Sequence, residues 1–320
     1  MSATATEVLI RWRIGFLRFS VGKSVFSNQK CILALPNLKC IQIENEVPTM
    51  RAPAFDASEY EAMSGYLRNA SERLIDCFTP PPPRNQRPVL GDIGCGDGNF
   101  ALAAVRAGWR SFGIDISTAQ IAAARSRAKL QGITVDAEFH VLDEREANTV
   151  INLADAVGSV FGVIFAEDPD AAVHRMVRLV RTGGQIGLCV WGNPTASGVL
   201  RRTLAEAAGI TLGIPDLPMP WEGEPALRGV LDRADVSNIT IKFEDLATSA
   251  ANFSEALDLF CTRAPVLRRL RVRARAVTSD TEIESTCHAA LEREGSIRIE
   301  SDGRVSIMDR YMIAHGYRSL

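Results

Sequence analysis

The stretch 88–100 carries the residues whose types and spacing suit ligand binding. A short apolar run there leads into the pattern Asp92-x-Gly94-x-Gly96-x-Gly98. Glycines at alternate positions let the backbone turn sharply and approach a ligand without Cβ clashes. The apolar run predicts a buried strand, and the helix predicted after the glycines points its N-terminal amides at the same ligand. The stretch therefore predicts a cradle for a ligand between a strand and a helix.

The acid in front of the glycines distinguishes two classes of ligand. A dinucleotide-binding fold requires G-x-G-x-x-G, with the glycines close to a pyrophosphate. Asn99 stands where the third of those glycines would be, and Asp92 would repel a phosphate but suit a cation. The pattern therefore disfavours a nicotinamide-dependent oxidoreductase. A glycine turn in some other α/β protein remains the alternative interpretation of these residues.

The sequence Asp92-Ile93-Gly94-Cys95-Gly96-Asp97-Gly98 resembles the first motif of the class I S-adenosylmethionine-dependent methyltransferases. The resemblance covers about residues 55–195, and residues 225–315 only in the order of elements. It is nearest to the small-molecule branch that includes enzymes of ubiquinone and menaquinone biosynthesis. It implies a Rossmann-like, doubly wound, seven-stranded and mostly parallel α/β sheet with an antiparallel last strand and a helical lid. It also implies S-adenosyl-L-methionine as cofactor and transfer of its methyl group to an oxygen, nitrogen or carbon of a small molecule.

Further candidate residues follow the loop along the chain. A second predicted strand ends at Asp115, about twenty residues after the glycines, where an acid can accept both hydroxyls of a ribose. Ser117 and Gln120 predict a capping box at the next helix. The resemblance implies that Asp143, at the end of the third strand, contacts adenine. Phe161 ends the fourth strand and is a candidate wall for methyl transfer. The predicted cofactor-binding residues are Asp92, Gly94, Cys95, Gly96, Gly98, Asp115, Ile116, Gln120, Asp143 and Phe161.

The sequence offers no convincing catalytic base. The implied reaction is a direct displacement that needs no protein nucleophile, although a base would help a hydroxyl acceptor. Tyr60, Tyr66 and His288 are the candidates. The four histidines have no metal-ligand spacing, so no metal is expected. Since a fold does not fix a function, a non-catalytic cofactor-binding or regulatory protein remains the alternative.

Composition bounds the class of protein and its location. The chain has 320 residues, a formal net charge of −2 and seven cysteines without a C-x-x-C pair. These values indicate a protein with reduced thiols in the cytoplasm and no nucleic-acid partner. Residues 1–49 are basic and poor in acids, which predicts either a dispensable, disordered extension or a targeting segment that would give an organellar location.

After that extension, the remaining patterns divide the chain into a lid segment and a domain that carries a lid insertion. Residues 50–83 predict lid helices and a proline-rich spacer, and residues 84–320 predict the methyltransferase domain, with a lid insertion at about 192–224. Within that domain we expect a helix from Asp168 to Thr182 and a sixth strand at 239–243. We also expect Leu130 on the buried face of its helix, and a solvated face for the arginine run Arg268, Arg269, Arg271, Arg273 and Arg275.

Overall fold

The structure is a computed structural model that describes residues 6–12, 15–21, 57–81, 87–151, 153–212 and 220–319. The chain forms two compact units, residues 1–51 and 52–320. In the first unit β1 (Thr6–Trp12) pairs antiparallel with β2 (Gly15–Val21). The sequence did not predict this hairpin.

The second unit is an α/β fold. Its strands are β3 (Val89–Ile93), β4 (Arg110–Asp115), β5 (Ala137–Val141), β6 (Ala154–Val160), β7 (Val180–Trp191), β8 (Val236–Ala250), β9 (Ile297–Ile299) and β10 (Val305–Arg318). Its helices are α1 (Ala57–Ile75), α2 (Asn99–Arg106), α3 (Thr118–Leu130), α4 (Pro169–Arg178), α5 (Ala196–Ala207), α6 (Glu224–Arg233), α7 (Phe253–Arg263), α8 (Pro265–Arg275) and α9 (Asp280–Arg293).

The sheet has the strand order β5-β4-β3-β6-β7-β10-β8, and β9 pairs with β10 beside this path. Strands β3 to β7 are parallel, and β10 runs antiparallel to both β7 and β8. The doubly wound, mostly parallel sheet with an antiparallel last strand is therefore confirmed, and β9 is an eighth strand that the sequence did not predict. The direction of chain progression reverses between β3 and β6, which is where ligands bind in open α/β sheets.

Apolar burial on both faces of this sheet follows most of the predicted helix stripes. On α2 the inward residues Phe100, Leu102 and Val105 are buried as expected. On α3 the buried residues are Ile121, Ala124 and Ala128, whereas Leu130 is 85% exposed. The expectation for Leu130 was wrong because this residue lies two positions after Ala128, which places it on the opposite face of α3 from the buried stripe.

A second hydrophobic core lies against the first half of β10 and the last residues of β8. It joins one face of each of α5, α7, α8 and α9. The arginine run lies on α8, and Arg271 in its middle is buried and forms ion pairs with Asp258 and Glu284. The expected solvated face is therefore wrong for Arg271, because this residue pairs with acids of α7 and α9, while the other four arginines of the run are exposed.

Two element boundaries differ from the expected ones. Helix α4 ends at Arg178 and β7 begins at Val180, because Ala154 of β6 already pairs with Val180 in the parallel ladder. Strand β8 has 15 residues instead of the five expected, since β10 pairs with it over almost its whole length. Within the described ranges no helix combines the length and apolar character needed to cross a membrane.

Candidate functional site

The glycine loop leaves the carboxyl end of β3 in left-handed backbone conformations. Gly94, Gly96 and Gly98 have φ angles of 66°, 53° and 85°. Side chains rarely adopt these angles, so glycine is required by the turn itself. Gly98 is also the N-cap of α2, and its amide donates to the Cys95 carbonyl. The loop therefore delivers the chain directly from β3 to the helix N-terminus, as predicted.

A second turn, after β6, packs its backbone against this loop. A Cβ atom on Gly94 would lie 2.8 Å from Gly162 Cα, and one on Gly162 would lie 2.7 Å from the carbonyl oxygens of Ile93 and Gly94. The hydroxyl of Ser159 donates to the Ile93 carbonyl at 2.6 Å and accepts from the Val163 amide at 3.0 Å. The two turns are thus held in contact at the point where the sheet reverses.

Asp115 links the loop to the carboxyl end of β4. Its Oδ2 accepts a hydrogen bond from the Gly96 amide at 2.9 Å, and its Oδ1 accepts one from the Ser117 amide at 2.8 Å. Burial raises the pKa of this carboxyl, although both amides oppose the rise. The next residue, Ile116, leaves 59% of its surface exposed beside this acid. A hydrogen-bonding acid and an uncovered apolar side chain therefore stand together at the sheet edge.

Asp92 lies beneath the loop instead of at its mouth. It is 1% exposed, and its Oδ2 accepts from the Ala101 amide in the first turn of α2 at 3.0 Å. The pKa of Asp92 is raised to about 8, mainly by burial and also by the nearby charges of Asp115 and Asp97. Neither Asp92 nor Asp115 forms an ion pair with any residue in the described ranges. The region under the loop is therefore poor in positive charge.

Of the two roles predicted at the start of α3, the structure shows the N-cap at Ser117 but not the reciprocal bond of Gln120. Ser117 is the N-cap and accepts from the Gln120 amide at 3.3 Å, as expected. The reciprocal bond of the capping box is absent between these two residues, because Asp115 already accepts the Ser117 amide proton. The Gln120 side-chain oxygen is buried with no hydrogen-bond partner. That prediction was wrong in its second half, and the freed Gln120 oxygen is available to a ligand.

Asp143 and Cys95 make contacts within the protein. Both Asp143 oxygens accept from the Arg145 guanidinium at 2.8 Å, and this bond lowers the pKa of Asp143 to about 2. Its contact with adenine stays a prediction. Cys95 is buried in a small core cluster with residues of α2, α3 and β5. Its thiol has a raised pKa because of burial, which fits a packing residue.

A polar network, which the sequence did not reveal, fastens α1 to the glycine loop. The Ser64 hydroxyl donates to Asp97 at 2.5 Å, and the Asn99 amide donates to both the carbonyl and the hydroxyl oxygen of Ser64 at 2.9 Å. Arg127 donates to the Asp97 backbone carbonyl at 3.0 Å and to Asn99 at 2.8 Å, and forms an ion pair with the Asp97 carboxylate. We call these four residues the loop clamp. The only sequence signal for it was Asp97 and Asn99 inside the motif.

Phe161 begins an aromatic wall at the exit of β6. It has a φ angle of 55°, is buried, and stacks on Trp191 with ring centroids 4.1 Å apart. Tyr311 packs edge-on against the same Phe161 ring at 5.8 Å. A left-handed aromatic residue is strained by about 1–3 kcal/mol, and such strain concentrates at functional sites. Phe161 lies next to Gly162, so the wall adjoins the glycine loop.

Trp191 also lines a cavity of about 110 Å³. Met63 and Tyr66 of α1 border this cavity, together with residues of α5, α7 and α8. Its lining residues are Met63, Tyr66, Trp191, Ser197, Arg201, Phe260, Arg263, Ala264, Pro265, Val266, Leu267 and Asp309. Helix α1 therefore contacts both places, because Met63 and Tyr66 line the cavity and Ser64 belongs to the loop clamp.

The three candidate bases are placed very differently. The Tyr66 hydroxyl donates to the Leu246 carbonyl at 3.0 Å, and burial raises the pKa of Tyr66 well above its usual value. A tyrosine that donates and keeps its proton is unsuited to act as a base. His288 lies on α9 against Phe253, with Glu292 at 3.8 Å, and does not line the cavity. Tyr60 is on α1, but its side chain lies outside the described residues.

Asp309 on β10 is the acid that sequence reasoning missed. It is 1% exposed and lines the cavity. Its Oδ1 accepts from the Ser197 amide at 3.1 Å, and its Oδ2 accepts from the Ser197 hydroxyl at 2.6 Å. Burial raises the pKa of Asp309 to about 6 against these hydrogen bonds. Since 112 positions separate it from Ser197, no local pattern could have indicated this site.

Residues 90–184 match the family model described as a methyltransferase domain. By sequence, these residues are similar to a methyltransferase domain. The matched segment contains the glycine loop, Asp115, Asp143 and Phe161. The cavity residues from Trp191 onward, and those of α1, lie outside it.

Relatives with curated names match between about a third and under half of the chain. An uncharacterised protein of Mycobacterium tuberculosis is 30% identical over 143 residues, which are 44% of this chain and 50% of that protein. A demethylmenaquinone methyltransferase of Bacteroides fragilis is 27% identical over 137 residues, which cover 42% and 54% of the two chains. A ubiquinone biosynthesis O-methyltransferase of Klebsiella pneumoniae is 33% identical over 95 residues, which cover 30% and 39%. The chain spans about half the length of the first two of these relatives, and less of the third.

Solved structures share the fold over most of the chain. A putative methyltransferase of Bacillus halodurans aligns with a TM-score of 0.52 and 12% identity, covering 79% of this chain and all of that one (100%). The YcgJ protein of Bacillus subtilis aligns with a TM-score of 0.50 and 12% identity, covering 82% and 99%. The Rossmann-like arrangement of the sheet is therefore shared well beyond the matched methyltransferase domain.

Because the two turns are in contact, we expect a methyl group at Gly94 to lower the free energy of unfolding by more than backbone strain alone would. Gly94 and Gly132 have nearly equal φ angles of 66° and 67°, but a Cβ on Gly132 would meet nothing within 4 Å. Gly132→Ala should therefore cost about 1–2 kcal/mol from backbone strain alone. Gly94→Ala should cost about 1–3 kcal/mol more, because the Gly162 backbone must move. Equal free energies of unfolding for the two variants in urea would contradict the proposed contact.

Because the Asp92 carboxyl is buried, we expect Asp92→Asn to increase the stability of the folded protein by an amount that depends on pH. Its pKa of about 8 lies above the usual value of 3.8, so the folded protein binds a proton more tightly than the unfolded chain. This group's contribution to stability is therefore lost as pH rises from about 4 to about 8. The melting temperature of Asp92→Asn, relative to the unchanged protein, should rise between pH 5 and pH 8.

Asp143→Asn is the matched control for that experiment. The pKa of Asp143 is lowered to about 2, so this carboxyl stays ionised in both states between pH 5 and pH 8. Its melting-temperature difference should be flat over this range. A flat difference for Asp92→Asn as well would show that Asp92 is not buried as described.

Proposed function

We propose that the protein is an S-adenosyl-L-methionine-dependent methyltransferase that acts on a small-molecule acceptor. One observation carries the proposal: the left-handed glycine loop, the hydrogen-bonding Asp115 and the exposed Ile116 lie together at the carboxyl edge of the sheet. This is the edge at which ligands bind in open α/β folds. The methyltransferase domain matched at residues 90–184 supports the same function.

The residues at this edge fit each part of the cofactor. Asp97 and Asp115 lie close enough to Asp92 to raise its pKa, so the negative charge of these two acids favours the cationic amino acid and sulfonium. Asp115 retains acceptor capacity for ribose hydroxyls beyond its two backbone bonds. Ile116 offers an apolar surface for adenine, and the unpartnered Gln120 oxygen is an acceptor for a polar hydrogen of the ligand.

When bound, the cofactor supplies an electrophilic methyl group. The protein's part is to align the acceptor with that methyl group and to exclude water. The Phe161–Trp191 stack can do both, because it adjoins the glycine loop on one side and the cavity on the other. Proximity and orientation of this kind contribute about 7–11 kcal/mol in favourable cases.

A reducing, cytoplasmic location completes the proposal. The five cysteines in the described ranges are all free, and four of them are buried. Free buried thiols are typical of compartments that keep cysteines reduced.

Calorimetric titration with S-adenosylhomocysteine tests the proposed cofactor. The unchanged protein should bind it saturably, and Asp115→Ala should weaken binding about tenfold or more, equivalent to about 1.4 kcal/mol. Asp115→Ala removes the acceptor for the ribose and releases the Gly96 amide. Asp115→Asn keeps one acceptor oxygen, so it should lose less affinity for S-adenosylhomocysteine. Glu138→Ala, which removes a half-buried ion pair with Arg110 near the amino ends of β4 and β5, is the control. Absence of binding to the unchanged protein would overturn the proposed function.

The separate first unit predicts that the extension takes no part in cofactor binding. Contacts divide the chain at residue 51, and each named site residue lies beyond it. A protein that begins at Met50 should therefore bind S-adenosylhomocysteine with unchanged affinity in the same calorimeter. A tenfold loss would assign residues 1–49 to the site.

A further inference from the structure

The cavity beyond the aromatic wall contains a buried acid that the cofactor site does not use. We propose that this cavity holds the methyl acceptor and that Asp309 takes the proton of an acceptor hydroxyl. The inference rests on the proposed methyltransferase function and goes beyond it, since it assigns the acceptor class and a catalytic residue. It is carried by the position of Asp309 in the cavity and by the contacts that join the cavity to the glycine loop.

Continuous contacts connect the two places. Gly162 packs on Gly94, Phe161 adjoins Gly162, and Trp191 stacks on Phe161 while lining the cavity. Helix α1 gives a second connection, because Ser64 belongs to the loop clamp and its neighbours Met63 and Tyr66 line the cavity. An acceptor in this cavity therefore lies beside Trp191 and α1, both of which are linked by contacts to the glycine loop.

The antiparallel strand β10 brings Asp309 to this position. Tyr311 of β10 pairs with Trp191, the last residue of β7, so Asp309 lies two residues beyond the carboxyl end of β7. The first turn of α5 meets it there, since amides at Ala196 and Ser197 and the Ser197 hydroxyl donate to the carboxylate. Each oxygen of a carboxylate has two acceptor sites, so capacity remains for a proton donor from the cavity.

The lining of the cavity selects the chemistry of its occupant. The rings of Tyr66, Trp191 and Phe260 form apolar walls, and the volume of about 110 Å³ is below the roughly 150 Å³ of an engineered cavity that holds benzene, which limits the occupant to one small ring. The guanidinium groups of Arg201 and Arg263 also line the cavity and disfavour a cationic amine. They favour an oxygen that gains negative charge as it loses its proton. The fitting acceptor is thus a flat, apolar molecule with a neutral hydroxyl group.

The proposed step balances as follows. The acceptor O–H bond breaks, and its proton goes to an oxygen of the Asp309 carboxylate. The acceptor oxygen forms the new O–C bond, the methyl carbon–sulfur bond breaks, and its electron pair stays on sulfur, giving a methyl ether and a thioether. General-base assistance of this type typically contributes about 10²–10⁴-fold to the rate, most efficiently when the pKa of the base is near the working pH.

The charged and titratable groups around Asp309 come from four elements. Asp245 of β8 raises its pKa by charge repulsion, whereas the bond from Ser197 of α5 lowers it. Tyr66 of α1 keeps its proton, and Arg201 of α5 and Arg263 of α7 complete the charged lining. Asp245 itself forms ion pairs with Arg298 and Arg310 and does not line the cavity. Asp245→Asn and Ser197→Ala should therefore move the Asp309 titration in opposite directions.

Binding of 4-fluorophenol, followed by fluorine NMR with the protein saturated with S-adenosylhomocysteine, tests the acceptor site. A phenol keeps its proton between pH 5 and pH 8. Because a hydrogen bond to an ionised acceptor is about twice as strong as a neutral one, binding should tighten about tenfold as pH rises through about 6. 4-Fluoroanisole cannot donate a hydrogen bond and should bind equally at every pH.

Variants assign the pH step to Asp309. Asp309→Asn should abolish the step and bind 4-fluorophenol at pH 8 about as weakly as the unchanged protein does at pH 5. Asp245→Asn should move the pH at which binding tightens to a lower value, and Ser197→Ala should move it to a higher value. These two variants test the assignment to Asp309 even if Asp309→Asn does not fold. A step that survives in folded Asp309→Asn, or that neither of the other variants moves, overturns the assignment.

The same probe tests the proton transfer. With S-adenosylmethionine, the unchanged protein should convert 4-fluorophenol to 4-fluoroanisole, and Asp309→Asn should do so at least about 100-fold more slowly. An equal rate and pH profile in Asp309→Asn overturns the catalytic role. Failure to bind or methylate 4-fluorophenol while S-adenosylhomocysteine still binds overturns the hydroxyl-acceptor inference alone. Failure to bind S-adenosylhomocysteine overturns the proposed function instead.

Discussion

The close approach of two backbone turns, at Gly94 after β3 and Gly162 after β6, is the constraint on which the site depends. A Cβ on either glycine would lie within 2.8 Å of backbone atoms of the other turn. This approach places the first glycine loop against the exit of β6 and forces Phe161 into a left-handed conformation beside it. Ser159 reinforces the contact through the Ile93 carbonyl. The loop, the aromatic wall and the cavity beyond it are therefore positioned by one packing contact.

The acids at the glycine loop are held mainly by burial and backbone hydrogen bonds, and only Asp97 among them forms an ion pair within the described residues. Asp92 supports the first turn of α2 from below, Asp115 holds the Gly96 amide, and Asp97 is paired with Arg127 in the loop clamp. An anion at a helix N-terminus is favourable, but burial makes ionisation of Asp92 costly. A cationic ligand would reduce that cost, so the acids at the loop suit the proposed cofactor.

The long antiparallel strand β10 unites the two hydrophobic cores. Its second half pairs with β7 within the sheet core, while Ile307 in its first half packs in the second core with α5, α7, α8 and α9. Since β10 runs opposite to β7, its first half extends beyond the carboxyl edge where ligands bind. Asp309 lies at this transition. The helices of the second core thereby cover the acceptor cavity and supply Ser197, Phe260 and Arg263 to it.

The sequence by itself determined the parallel strands, the glycine loop and the acids that follow it, because period-2 and period-3.6 apolar patterns and turn glycines are local signals. It also indicated the order of elements and the antiparallel last strand through a family resemblance. Only the tertiary structure decided that Asp92 lies beneath the loop, that Gln120 is left without its capping partner, and that Arg271 is buried. It alone brought Asp309 to Ser197 across 112 positions. Burial and contacts between distant segments set these outcomes, and neither leaves a pattern in the neighbouring residues.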